Sequence, residues 1–142
     1  MIKRKATQND NHSEKPVNWQ DKTILIVEDD PLSIRFLNTI LKETGANLLV
    51  ARSGREALDM VMQHDHLDLI LMDVQLPVMS GHEVTSQIRE NGCNIPIIAQ
   101  TAHAMAEDRA KCLQSGCSDY ITKPIDIELL IEKISKYFQK IR

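Results

Sequence analysis

Short runs rich in Ile, Leu and Val alternate five times with amphipathic stretches along this chain. The runs are TILIV (Thr23–Val27), NLLVA (Asn47–Ala51), LDLILM (67–72), IPIIAQ (95–100) and DYIT (Asp119–Thr122). Continuous apolar character, without polar alternation, is what a strand buried on both faces requires. Parallel neighbours cannot be joined by tight hairpins and need crossover connections, which here are helices. The pattern therefore predicts an α/β domain, a five-stranded parallel sheet covered by helices on both faces.

The intervening stretches carry helix start and stop signals. Asp30 is placed as the N-cap of a helix over 32–44, with Pro31 at its first position and Gly45 as the stop. Phe36, Leu37, Ile40 and Leu41 form its apolar face. Ser53 and Glu56 make a capping box for a helix that turns Ala57, Leu58, Val61 and Met62 inward. Further helices are expected over 82–90, 104–114 and 127–139, the last with Leu130, Ile131, Ile134 and Phe138 inward. Residues 1–21 lack this period and read as a flexible N-terminal tail, with Trp19 resting on the domain edge. Residues 22–142 form one domain.

Composition excludes several classes of function. The net charge of −3 and the 4% aromatic content leave neither a basic phosphate-binding face nor stacking platforms, so no direct nucleic-acid contact is expected. No apolar run approaches the roughly 20 residues of a membrane span, and no signal-peptide core follows Met1, so a cytoplasmic protein is expected. Cys93, Cys112 and Cys117 are odd in number and form no CxxC pair, as free thiols would. His64 and His66 around Asp65 read as a solvated turn.

The polar exceptions fall at strand ends. Glu28 and Asp29 follow the first strand, Asp73 the third, Thr101 the fourth and Lys123 the fifth. Open α/β sheets bind ligands outside the carboxyl ends of their strands. In the order 2-1-3-4-5, strands one and three are neighbours, so Glu28, Asp29 and Asp73 converge. Three carboxylates together repel unless a cation joins them, and hard oxygen donors favour Mg²⁺.

ILIVEDDP, LILMDVQLPVMSG, IPIIAQTAHA and YITKP resemble the motifs of the response-regulator receiver domain of two-component signalling, either stand-alone or of the hybrid sensor histidine kinase type. The likeness covers residues 22–141. It implies a flavodoxin-like doubly wound (βα)5 fold with strand order 2-1-3-4-5. It also implies that Asp73 is the phosphoacceptor, receiving a phosphoryl group from a phosphohistidine to form an acyl phosphate. Mg²⁺ would sit on Asp29, Asp73 and the main-chain carbonyl of Gln75, with Glu28 acting mainly through water. Lys123 would contact a phosphoryl oxygen, Thr101 would donate its hydroxyl, and the Lys123–Pro124 bond would be cis.

The resemblance further implies a switch in which Thr101 and Tyr120 respond together. The output face would be the fourth helix, fifth strand and fifth helix, also a surface for homodimerisation. Partners would be a histidine kinase or a histidine phosphotransfer protein. Gln75 and His103 stand where side chains tune phosphoryl lifetime. Gln100 departs from the pattern, a polar residue where the family usually has an apolar one. The chain would be a signalling switch that catalyses only its own phosphotransfer and dephosphorylation.

Three rival readings are weaker. A haloacid-dehalogenase-type phosphohydrolase needs a second Asp two residues after its nucleophile, where Gln75 stands. A flavodoxin-like FMN module needs a neutral phosphate loop where EDDPLS is acidic. A pseudo-receiver that only binds partners would not need the full polar set. With no helix-turn-helix after Arg142, output through protein contact is the expectation.

Overall fold

In the computed structural model, which describes residues 17–103 and 105–139, the five apolar runs are five parallel strands. They are β1 (Thr23–Val27), β2 (Asn47–Ala51), β3 (Leu69–Asp73), β4 (Ile97–Thr101) and β5 (Asp119–Thr122). Their order is β2-β1-β3-β4-β5. This is the flavodoxin-like order that the motifs imply. Between and after them run α1 (Pro31–Lys42), α2 (Gly54–Gln63), α3 (Gly81–Glu90), α4 (Ala106–Ser115) and α5 (Ile127–Phe138).

The central strands β3 and β4 are buried at every position, which explains their apolar sequence up to Asp73 in one and Gln100 in the other. Alternate residues of each strand feed two separate cores. On one face Ile24, Ile26, Leu69, Leu71, Ile98 and Ile121 meet Leu37 and Leu41 of α1 and Leu130 and Ile134 of α5. On the other, Leu25, Val27, Ile70, Met72, Ile97 and Ala99 meet α2, α3 and α4 through Ala57, Leu58, Val84, Ile88 and Cys112. At about 25 cal/mol per Å² of apolar surface removed from water, these two layers are the main stabilising term.

The expected N-caps Asp30 and Ser53 form, but the Ser53–Glu56 capping box does not close, because the Glu56 carboxylate accepts from the Arg52 N–H at 2.7 Å instead of from Ser53. Asp30 Oδ2 accepts from the Ser33 N–H, Ser53 Oγ from Glu56 and Asp126 Oδ1 from Leu129. Ser80 and Glu83 form a reciprocal capping box at α3. Each such cap contributes about 1 kcal/mol.

Several expectations are corrected. Trp19, expected at the domain edge, is buried on the α1–α5 face, its ring perpendicular to that of Phe138 with centroids 5.0 Å apart. Lone aromatics carry no period from which such burial can be read. Met62 is 70% exposed although expected inward. At about 100° per residue it lies roughly 90° from the centre of the stripe set by Gly54, Ala57 and Leu58. Phe36 is likewise exposed, because Ile34, Leu37 and Leu41 are the residues that α1 buries. The helix ends at Lys42, and Gly45 takes up the left-handed φ of +86° beyond it. β3 and β4 each begin two residues later than the apolar runs suggest, and α4 begins at Ala106. All three cysteines are free.

Candidate functional site

Because β1 and β3 are adjacent, their carboxyl ends deliver three acidic side chains to one point. Carboxylate oxygens of Glu28, Asp29 and Asp73 all lie within 4.8 Å of one another. Among the described residues this is the sole grouping of acidic, His or Cys side chains spaced to hold a metal ion. Glu28 and Asp73 are buried, at 1% and 3% exposure, while Asp29 faces solvent.

Lys123 offsets the mutual repulsion of these carboxylates. Its Nζ lies 3.3 Å from Asp73 Oδ1 and 3.5 Å from Glu28 Oε1. β5 is anchored beside β4 by the Lys123 N–H donating to the Thr101 carbonyl at 2.8 Å, and the Lys123–Pro124 bond is cis. Further donors steady the acids: the Gln75 N–H reaches Asp73 Oδ1 at 3.1 Å, and the Asp30 N–H reaches Glu28 Oε2 at 3.3 Å. Even so, burial pushes the Glu28 carboxyl up to about 7, reinforced by the Asp73 charge and only partly opposed by Lys123. Burial of this acid beside a second buried carboxylate is the electrostatic condition that a hard divalent cation relieves. The donor set fits such an ion.

Thr101 is buried at the end of β4, and its Oγ1 accepts from the His103 N–H at 3.1 Å. The side chains of Gln75 and His103 are exposed and meet, Nε2 to Nε2, at 3.4 Å. Tyr120 is half-buried, packed against the core beneath α2–α4, with Lys133 Nζ 5.8 Å from its ring centroid. The structure thus gathers Glu28, Asp29, Asp73 and Lys123 into one cluster. Gln75 and His103 form a second contact joining the loops after β3 and β4. Tyr120 lies one strand further out.

Sequence reasoning missed Gly81. A side chain there would overlap the Asp73 carbonyl oxygen and approach Val74 Cα to 2.8 Å. The Gly81 N–H also donates to the Val74 carbonyl at 2.9 Å. The start of α3 is therefore seated directly on the backbone of Asp73. Only the fold brings these residues together, although a glycine opening a helix was a hint.

Residues 24–135 match the response regulator receiver domain family. The polar-differentiation response regulator DivK of Brucella abortus is 43% identical over 118 residues, covering 82% of this chain and 95% of DivK. Hybrid signal transduction histidine kinase I of Dictyostelium discoideum is 41% identical over 131 residues. That match covers 84% of this chain and only 8% of the kinase. Among solved structures, the Ssk1 receiver domain of Saccharomyces cerevisiae, co-crystallised with the histidine phosphotransfer protein Ypd1, superposes with a TM-score of 0.77 at 36% identity. The alignment covers 82% of this chain and 88% of that one. The receiver domain of sensor histidine kinase PA1611 from Pseudomonas aeruginosa, with magnesium in its active-site cleft, gives 0.74 at 36% identity. There the coverage is 82% of this chain and 96% of that one. Extended sequence identity, a shared strand order and the acidic rim agree: the chain belongs to the response regulator receiver domain family of two-component signalling.

Proposed function

We propose that Asp73 accepts a phosphoryl group from a phosphohistidine in the presence of Mg²⁺ and so switches the face formed by α4, β5 and α5. The observation that carries this reading is the meeting of Glu28, Asp29 and Asp73 oxygens within 4.8 Å, with the Lys123 ammonium 3.3 Å from Asp73. Lys123 and the Gln75 N–H both bond Oδ1, which orients the carboxylate and supports Oδ2 as the oxygen that attacks phosphorus. As the new O–P bond forms, the N–P bond breaks and its electron pair returns to the imidazole. Glu28, Asp29, Asp73 and the Gln75 carbonyl are the residues that would hold Mg²⁺. A cation there supplies compensation for the charge on the transferring oxygens.

Lys123 serves as a positive contact for one phosphoryl oxygen, and the Thr101 hydroxyl has a proton to donate to another. Drawing Thr101 towards the phosphoryl group vacates space on the Tyr120 side of β4. A rearranged Tyr120 then shifts the population of the output face. The partner is a histidine kinase or histidine phosphotransfer protein. The co-crystallised Ssk1 receiver and Ypd1 support that class. Self-association through the same output face is part of this reading, as is a cytoplasmic setting for an acidic domain in which no described helix is long and apolar enough to cross a membrane.

Incubation with acetyl phosphate and Mg²⁺ followed by intact-mass measurement tests the assignment. One phosphoryl adduct is expected, absent when Mg²⁺ is chelated and absent from Asp73→Asn. An adduct that persists in Asp73→Asn would overturn the site.

A further inference from the structure

Among the described residues β5 ends the sheet on its side, so no strand covers the outer flank of Tyr120. The side chain is half-buried and packs against the core beneath α2–α4. A ring at a sheet edge has more than one staggered χ1 well open to it unless a neighbour singles one out. Lys133 is that neighbour. Its Nζ, reaching across from α5, lies over the Tyr120 ring at 5.8 Å from the centroid, inside the roughly 6 Å over which an aromatic face attracts a cation.

The ammonium is itself held in place. It donates to Asp119 Oδ1 at 3.1 Å and to Oδ2 at 3.2 Å, and Oδ1 also accepts from the Tyr120 N–H at 2.8 Å. The two charged side chains are only 20% and 21% exposed, so water screens this pair less than it would one on the open surface. One turn further along α5, the Tyr137 hydroxyl donates to the Ser118 carbonyl at 3.0 Å. Together these contacts fix α5 against the start of β5 and leave the ammonium little freedom over the ring. Joining α5 to β5 needs only the bonds to Asp119 and Ser118. The ring contact adds a dependence of the Tyr120 side chain on a fixed positive charge.

We infer that Lys133, oriented by Asp119, is a positioning residue for Tyr120: it holds the ring in its present orientation and so sets how often other orientations are occupied. A ring that leaves this seat gives up its cation. The preference of the resting protein for one Tyr120 rotamer is thus written in the charge on α5, not in packing alone. Holding the ring does not depend on phosphotransfer. Its meaning as a counterweight to activation rests on the proposed switch, in which Tyr120 rearranges once Thr101 is drawn towards a phosphoryl group.

The χ1 populations of Tyr120 can be read by NMR from three-bond couplings to its Cγ in uniformly labelled protein, with no phosphodonor present. One rotamer is expected to dominate. Lys133→Met, which keeps an unbranched side chain and loses the charge, is expected to raise the combined population of the others about two- to fivefold, the ratio such a contact supplies. Lys133→Arg, still a cation that can bond Asp119 and lie over the ring, should restore the unsubstituted populations. A second measurement leaves α5 unaltered: the Lys133 ε-methylene protons should resonate upfield and lose that shift in Tyr120→Leu. Unchanged populations in Lys133→Met, equal changes in Lys133→Met and Lys133→Arg, or Lys133 protons indifferent to Tyr120→Leu would overturn the inference. Failure of Asp73 to form an adduct with acetyl phosphate would sink the phosphotransfer reading and leave these couplings untouched.

Discussion

The side chains of Gln75 and His103 meet at 3.4 Å across the opening of the acidic site, one from the loop after β3 and the other from the loop after β4. Neither is buried, so the contact persists only because the adjacent strands hold the two loops at that separation. Under the proposed phosphotransfer, this pair would screen a phosphoryl group on Asp73 from water. Gln75→Ala and His103→Ala are each expected to speed loss of the phosphoryl group by about two- to fivefold. The double variant should fall short of the product of the two, as neighbours in contact are not additive. Following the decay of the phosphorylated species by mass would show this, and strict multiplicativity would mean the contact has no role.

Glu28 sets a pH dependence whose sign can be worked out. Its carboxyl is raised in the fold from 4.5 to about 7, mainly by burial and then by the Asp73 charge. The folded protein therefore holds more protons than the unfolded chain between those values. Stability of the metal-free protein that is present below about pH 4.5 should decline as pH rises towards 7, then level off. Mg²⁺ competes with that proton, so apparent Mg²⁺ affinity should climb over the same window and flatten above it. Calorimetric titrations at pH 5.5, 6.5 and 8 would decide; a flat affinity would remove Glu28 from the coordination.

Asp73→Asn should separate stability from function. Asparagine keeps an acceptor for the Gln75 N–H and removes one of two buried neighbouring charges. Metal-free protein at pH 8 is expected to gain about 1–2 kcal/mol, the usual trade between an active site and its fold. Urea denaturation of both proteins without Mg²⁺ measures it. A loss of stability would mean the Lys123 pairing outweighs the crowding.

Gly81 should tolerate no side chain. A methyl group there would displace the Asp73 carbonyl or lift the start of α3 from it. Gly81→Ala is expected to destabilise by about 2 kcal/mol or more and to slow phosphorylation by acetyl phosphate, whereas Gly92→Ala, whose Cβ would meet nothing within 4 Å, should lower stability through its φ of +84° alone and leave the rate unchanged.

Val78 stands in the left-handed region with φ of 68°, fully exposed, where a β-branched side chain is strained. Val78→Gly should raise stability by about 1 kcal/mol, the strain relieved exceeding the added freedom of the unfolded chain. A lower melting temperature would show that the loop draws on the valine in some other way.

The sheet was legible because burial on both faces writes itself as unbroken apolar runs, and the acids because they interrupt those runs at their ends. Glu28 and Asp73 stand out in sequence for the same reason they are buried in space. What stayed hidden depends on contacts between distant segments. Gly81 touches Asp73 only after β3 turns into α3, and Trp19 finds Phe138 only when α5 returns across the sheet. Met62 and Phe36 misled because an apolar period marks a stripe without marking its edge.

The packing of Trp19 against Phe138 has a consequence for modular assembly. β1 starts and α5 finishes at the pole of the sheet opposite the carboxyl rim, and this aromatic pair pins both there. Cargo spliced onto either side would depart from the same remote corner, leaving the business end unobstructed. One folded unit of this shape is thereby suited to solitary use and to being threaded into a larger polypeptide, with the same open approach for an incoming donor.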